Sequence, residues 1–192
     1  MSLNAFSHNL LMNPKLEAKY LRLEELRNPL LDELDGLDHQ QLNAAPAPGK
    51  WSINQHVAHL ILVEQRTLEN IRYKLQRPEE LQDVPFAQEA KALLMKVALH
   101  SGQKFKAPDI VANVPEVSEL SALRKQWDTM RFELEDELIG FPPALLAKGV
   151  FKHPVVGYLT ICQTLNFLQD HFIHHKQIMM AQKEALINQL QA

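Results

Sequence analysis

Residues 160–179 read Thr-Ile-Cys-Gln-Thr-Leu-Asn-Phe-Leu-Gln-Asp-His-Phe-Ile-His-His-Lys-Gln-Ile-Met. Ile161, Leu165, Leu168, Phe172 and Met179 recur at spacings of three, four and seven, the period of a helix that buries one face. Thr160, followed three positions later by Gln163, makes a capping-box pattern at its start. The stretch therefore predicts a long amphipathic helix that persists to about Leu186. Such a helix needs partners for its apolar stripe, and the rest of the chain supplies them.

Three more long helical patterns lie upstream. The first runs from about Pro14 to Leu34, with Asn13 as its cap and Pro14 at the first helical position. Gly36 marks its end. A loop from Asn43 to Lys50, carrying Pro46, Pro48 and Gly49, leads to Trp51. Ser52 with Gln55 is a second capping box. The helix that follows carries Ile53, Val57, Leu60, Leu68, Ile71 and Leu75 on one stripe and closes at Arg77-Pro78. The third pattern spans about Glu116 to Ile139, with Leu120, Leu123, Trp127, Met130 and Leu134 buried. Gly140 and Pro142-Pro143 end it, and a loop with Pro154 and Gly157 precedes the fourth helix. Residues 78–115 form a long crossover connection, with a short helix expected from Glu89 to His100. Four helices of this length bury their stripes best against one another, so the expected fold is an all-α four-helix bundle with a long crossover, a single domain over 1–192.

Composition excludes several other classes. The chain has 192 residues, 22 % of them charged, and a formal net charge of -3. Its basic residues are scattered among acidic ones, so no nucleic-acid surface is expected. A single cysteine, Cys162, rules out an intramolecular disulfide and a cysteine-only zinc cluster. Met1 to Asn13 lacks the pattern of a secretory signal, and no apolar run is long enough to span a membrane. A cytoplasmic protein without membrane partners is the default expectation.

The chemistry lies in Asp170-His171-Phe172-Ile173-His174-His175. His171 and His175 stand four apart, so both imidazoles leave the helix on one face, one turn apart. Two rings so placed can reach one metal ion, as in the HExxH helices of zinc enzymes. The glutamate of that motif is absent, which excludes the metalloprotease reading. His171 and His174 are a competing pair. His175 is preferred because it shares a face with Leu165, Leu168, Phe172 and Met179. A third ligand has two candidates on the second long helix, His56 and His59, and periodicity alone does not choose between them. Glu64, in register with Val57, Leu60 and Leu68, is the candidate catalytic carboxylate. It serves either as a base or anchor near the metal or as the partner of an arginine such as Arg22 or Arg131.

Two segments bear a likeness to a known family. One is Pro48-Gly49-Lys50-Trp51-Ser52-Ile53, continuing through Gln55 to His59-Leu60 and Glu64. The other is His153-Pro154, then Gly157-Tyr158-Leu159-Thr160, then His171 to Ile178. In their order and spacing the chain resembles the DinB/YfiT-like family of metal-dependent hydrolases and thiol S-transferases. The resemblance implies a four-helix bundle with a long crossover. It also implies a metal triad of His59, His171 and His175, and an acidic residue at Glu64. Gln177 departs from the pattern, since many relatives carry glutamine three positions beyond the last ligand. Three neutral imidazoles suit a divalent metal ion, with zinc or nickel favoured over iron or manganese. The implied activities are hydrolysis of a small-molecule substrate, or S-transfer from a low-molecular-weight thiol cosubstrate that the metal holds as thiolate. Cys162 lies more than two turns from His171 and does not replace that thiol. A homodimer is implied as well. The competing expectation is a noncatalytic dimeric module that uses the same pocket for ligand sensing.

Overall fold

The structure is a computed structural model that describes residues 11–85 and 109–190. Helix α1 spans Pro14–Leu34, a short α2 spans His39–Asn43, and α3 spans Ile53–Leu75. A 3-10 turn, Pro78–Glu80, opens the crossover, and a short α4, Asp109–Ala112, stands at its far end. Helix α5 spans Leu120–Ile139 and α6 spans Ile161–Leu190. Between them lie a 3-10 turn, Pro143–Leu145, and a hairpin of β1, Phe151–His153, with β2, Gly157–Leu159. The helix expected from Glu89 to His100 lies outside the described residues.

The start signals act as their chemistry requires. The Asn13 side chain accepts from Lys15 N at 3.0 Å. Ser52 and Gln55 close a reciprocal capping box at α3. Thr160 and Gln163 do the same at α6. Each box satisfies amides that the first turn of a helix leaves without an internal partner.

The four long helices pack as a bundle in which α1 lies against α6 and α5, and α3 lies against the same two. Consecutive long helices α1 and α3 therefore sit across a diagonal. Leu16, Leu23, Ile53, Leu60, Trp127 and Phe172 are among the fully buried side chains of the shared core. Among the described residues no helix is long and apolar enough to cross a membrane.

A polar network crosses this core. Arg131 of α5, 1 % exposed, grips Glu64 of α3 with two parallel bonds, Nε to Oε2 at 2.7 Å and Nη2 to Oε1 at 2.8 Å. Its Nη1 reaches Glu24 of α1 at 3.1 Å, and Trp127 Nε1 donates to Glu64 Oε2 at 3.1 Å. Bidentate geometry and full pairing are what allow such charges to be buried.

Two local features differ from the sequence expectation. Helix α5 begins at Leu120, not at Glu116, because the Ser118 backbone is committed elsewhere. Its N–H donates to Asn43 Oδ1 at 3.0 Å, and its carbonyl accepts from Asn43 Nδ2 and Asn54 Nδ2. The loop expected around Pro154 and Gly157 is a hairpin. His153 shapes its turn, its Nδ1 accepting from the amides of Val155 at 3.2 Å and Val156 at 3.3 Å. Gly157 takes φ +87°, a conformation that costs other residues a steric penalty.

Two outcomes follow from this packing. Glu64→Ala takes from buried Arg131 the carboxylate that holds it by two bonds and leaves it only Glu24, and urea unfolding will show a loss of about 3–5 kcal/mol. A loss near zero would mean that the pair does not hold the bundle. The second concerns His153, whose imidazole burial pushes down to about 4 from its ordinary 6.5. Below pH 6.5 the unfolded chain takes up a proton there that the folded chain refuses, so stability present above 6.5 is lost as pH falls toward about 4. Thermal unfolding of metal-free protein between about pH 7 and about pH 4.5 will decline more steeply for wild type than for His153→Asn, which keeps an acceptor for the two amides. Equal slopes would contradict this.

Candidate metal centre

The site forms where α3 faces α6. Trp51, just before the α3 cap, packs its ring 4.9 Å from the ring of His59 and 5.5 Å from that of His56. On α6, His171 and His175 stand one turn apart with ring centroids 4.6 Å from each other. Phe167, one turn earlier, stacks on His171 at 5.5 Å. Aromatic rings thus flank the imidazoles on both helices.

His171 Nε2 lies 3.3 Å from His59 Nε2 and 3.2 Å from His175 Nε2. Candidate ligand atoms of all three residues fall within 4.8 Å of one another. Tetrahedral coordination with metal–nitrogen bonds of 2.0–2.1 Å separates its nitrogens by about 3.3 Å, so the spacing suits a single cation. Proton bookkeeping points the same way. His59 Nδ1 sits 2.8 Å from the carbonyl oxygen of Val111, which can only accept. The neutral ring then carries its proton on Nδ1 and turns a bare lone pair on Nε2 toward its neighbours. One proton on His171 Nε2 cannot satisfy both of its contacts well. A divalent cation would.

The electrostatics keep these rings neutral. His59 and His175 are buried, and His171 is partly exposed. Loss of hydration pushes all three imidazoles below their ordinary value, and the neighbouring histidines push His171 and His175 down further. A neutral imidazole is the form that binds metal.

The remaining sequence candidates take other places. His56 is buried beside the cluster, with its Nδ1 2.9 Å from Nδ1 of His175. The His174 ring lies 5.2 Å from that of His175. Of the two readings of Glu64, the geometry shows the arginine pairing: both of its oxygens are held by Arg131. Gln177 is exposed, and it is Gln182 that reaches the site, 3.4 Å from His56 Nε2. Two contributors had escaped the sequence reading, the Val111 carbonyl and Gln182. A backbone carbonyl carries no residue-type signal. Gln182 falls on the site side of α6 at seven residues beyond His175, a spacing that could have flagged it.

The chain is similar to several known proteins. The YuaE protein of Bacillus subtilis is 25 % identical over 162 residues, covering 84 % of this chain and 95 % of its own. A protein of Bacillus mycoides named "Putative metal-dependent hydrolase" is 28 % identical over 165 residues, covering 85 % and 83 %. The solved structure of YfiT from Bacillus subtilis superposes with a TM-score of 0.54 at 14 % identity, over 96 % of this chain and 95 % of that one. Its description reads "a probable metal-dependent hydrolase with an unusual four-helix bundle topology". That likeness establishes the fold. The match to the DinB superfamily runs over residues 22–179, from Arg22 in α1 to Met179 in α6. Because it takes in most of the bundle and every imidazole of the cluster, the chain belongs to the DinB superfamily.

Proposed function

We propose that this protein is a metal-dependent enzyme, a hydrolase or a low-molecular-weight-thiol S-transferase, acting on a small-molecule substrate at His59, His171 and His175. The observation that carries this reading is the pair of nitrogen contacts at 3.2 and 3.3 Å, made by rings of which one has its tautomer set by Val111. The names of the relatives support it. Zinc or nickel suits three neutral imidazoles, and iron or manganese are the further candidates. A divalent cation bound there supplies Lewis-acid activation of water or of a thiol at a position that the three ligands leave open.

The chain's own residues define the rest. Val111 holds His59 with its lone pair inward. Trp51 and Phe167 line the imidazoles with apolar surface and restrict water around them. Both oxygens of Glu64 are held by Arg131, so Glu64 acts on the position of α3 and not as a base at the cluster. Cys162, the chain's single cysteine, precedes His171 by nine helical positions, about 13 Å of helix rise, so a nucleophilic thiol comes from a cosubstrate. The absence of a carboxylate from the three-histidine group favours, as the second reading, a binding or sensing module without turnover.

Purified wild type will carry close to one divalent ion per chain by elemental analysis, and His175→Ala and His59→Ala will carry almost none. Equal metal content in all three would remove the site. Metal-dependent turnover of electrophiles with added small thiols selects S-transfer; turnover without thiol selects hydrolysis; metal binding with neither leaves the sensing module. A homodimer is proposed as well, supported by exposed Leu21 on α1 and Ile187 on α6. Sedimentation at micromolar concentration will give twice the mass of one chain, and a species of single-chain mass alone would dispose of the dimer.

A further inference from the structure

His171 is the hub of the cluster, since its Nε2 makes both close nitrogen contacts, to His59 at 3.3 Å and to His175 at 3.2 Å. The other two rings are each met at a second nitrogen, His59 by the Val111 carbonyl and His175 by His56. Among the described residues no such contact is made at Nδ1 of His171. The torsion that turns an imidazole about its last side-chain bond is broad, so it does not fix the ring plane by itself. What meets the face of His171 is the Phe167 ring, 5.5 Å away and 28° from parallel.

Phe167 is itself fixed from outside its helix. Phe151 stacks on it at 6.0 Å and 17° from parallel, and His153 sets its ring edge-on, 4.6 Å away at 71°. Both belong to β1, where alternate residues share one face, so Phe151 and His153 turn toward α6 while exposed Lys152 faces out. The hairpin is braced independently of α6. The Lys152 amide donates to Asn70 Oδ1 of α3 at 3.4 Å, and His153 is tied to its own turn by the amides of Val155 and Val156. The series Phe151–Phe167–His171 thus runs from a strand held on α3 to an imidazole of the cluster on α6. An aliphatic side chain would fill the same space, but a flat ring has a face, and a face sets the plane of the ring laid on it.

We propose that the hairpin is a positioning element of the metal centre. Phe151 and His153 hold the Phe167 ring, and Phe167 holds the imidazole plane of His171 so that Nε2 points at His59 and His175. This rests on the metal site proposed above. Hydrogen-bonded groups that orient metal-ligating histidines typically change metal affinity about 10–100-fold when removed, and a stacked ring is the weaker form of the same device.

The test uses zinc alone, titrated into metal-free protein against a chromophoric chelator. Phe167→Leu keeps an apolar side chain and removes the ring face, and Phe167→Tyr keeps the face. Zinc affinity is expected to fall about 3–10-fold in Phe167→Leu, the worth of a stacked aromatic pair, and to return to within about twofold of wild type in Phe167→Tyr. Phe151→Leu and His153→Asn are expected to show smaller losses in the same direction. They provide the reading if Phe167→Leu does not fold, as judged by thermal unfolding of the metal-free protein. Leu138→Ala removes buried packing beside Glu137, whose carboxylate pairs with Arg72 well beyond His59 along α3, and is expected to leave zinc affinity at the wild-type value. Wild-type affinity in Phe167→Leu, or in both Phe151→Leu and His153→Asn, would overturn the proposal while the metal site stood. A loss in Phe167→Tyr or in Leu138→Ala equal to that in Phe167→Leu would do the same. Failure of wild type itself to take up zinc would overturn both, and that result is seen before any variant is made.

Discussion

Helix α3 is held in place by a charge buried against a charge. Glu64 and Arg131 meet through two short parallel bonds in a region closed to water, where an unpaired carboxylate or guanidinium would be strongly disfavoured. The pair links α3 to α5, and Glu24 extends the same guanidinium to α1. Its directional bonds fix more than a distance. They set the rotation of α3 about its own axis, which an apolar stripe sets only loosely, because this helix is apolar over much of its circumference. At about 100° per residue, His56 and His59 then stand about 80° and 140° round the helix from Glu64. With Glu64 turned to α5, those two imidazoles turn to α6. Glu64 shapes the site through the scaffold.

The site is a place where charge has been withheld. Its imidazoles are held neutral by burial and by one another, and aromatic rings cover their flanks. Neutral rings in contact leave lone pairs without enough protons to share among them. A divalent cation there would resolve that deficit. The described end of the crossover takes part, since α4 packs on α3 and the Val111 carbonyl decides which nitrogen of His59 is bare. The long connection is therefore more than a link between α3 and α5.

The long helices, and the starts of α1, α3 and α6, were legible in advance because they rest on local rules. Capping boxes at Ser52 and Thr160 involve residues three apart, and apolar stripes repeat with the turn of the helix. The hairpin at 151–159 was not legible: strands of three residues are too short to show alternation, and its turn depends on His153 Nδ1 accepting two particular amides. The start of α5 was read four residues early because Asn43, some seventy residues upstream, claims the Ser118 backbone.

By itself the sequence determined an all-α bundle, the boundaries of α1 and α3, and the facing of His171 and His175, since one helical turn relates the two wherever that helix packs. Which histidine of α3 joins them was a different kind of question. His56 and His59 are three apart on a broadly apolar helix, and local periodicity treats them nearly alike. The resemblance pointed to His59, but the physical distinction between them appears only when α3 has been rotated and set against α6. One ring then presents Nε2 to the cluster, and the other meets the outer nitrogen of His175. The spacing of residues along a chain is local, whereas the direction of a lone pair depends on everything packed around it.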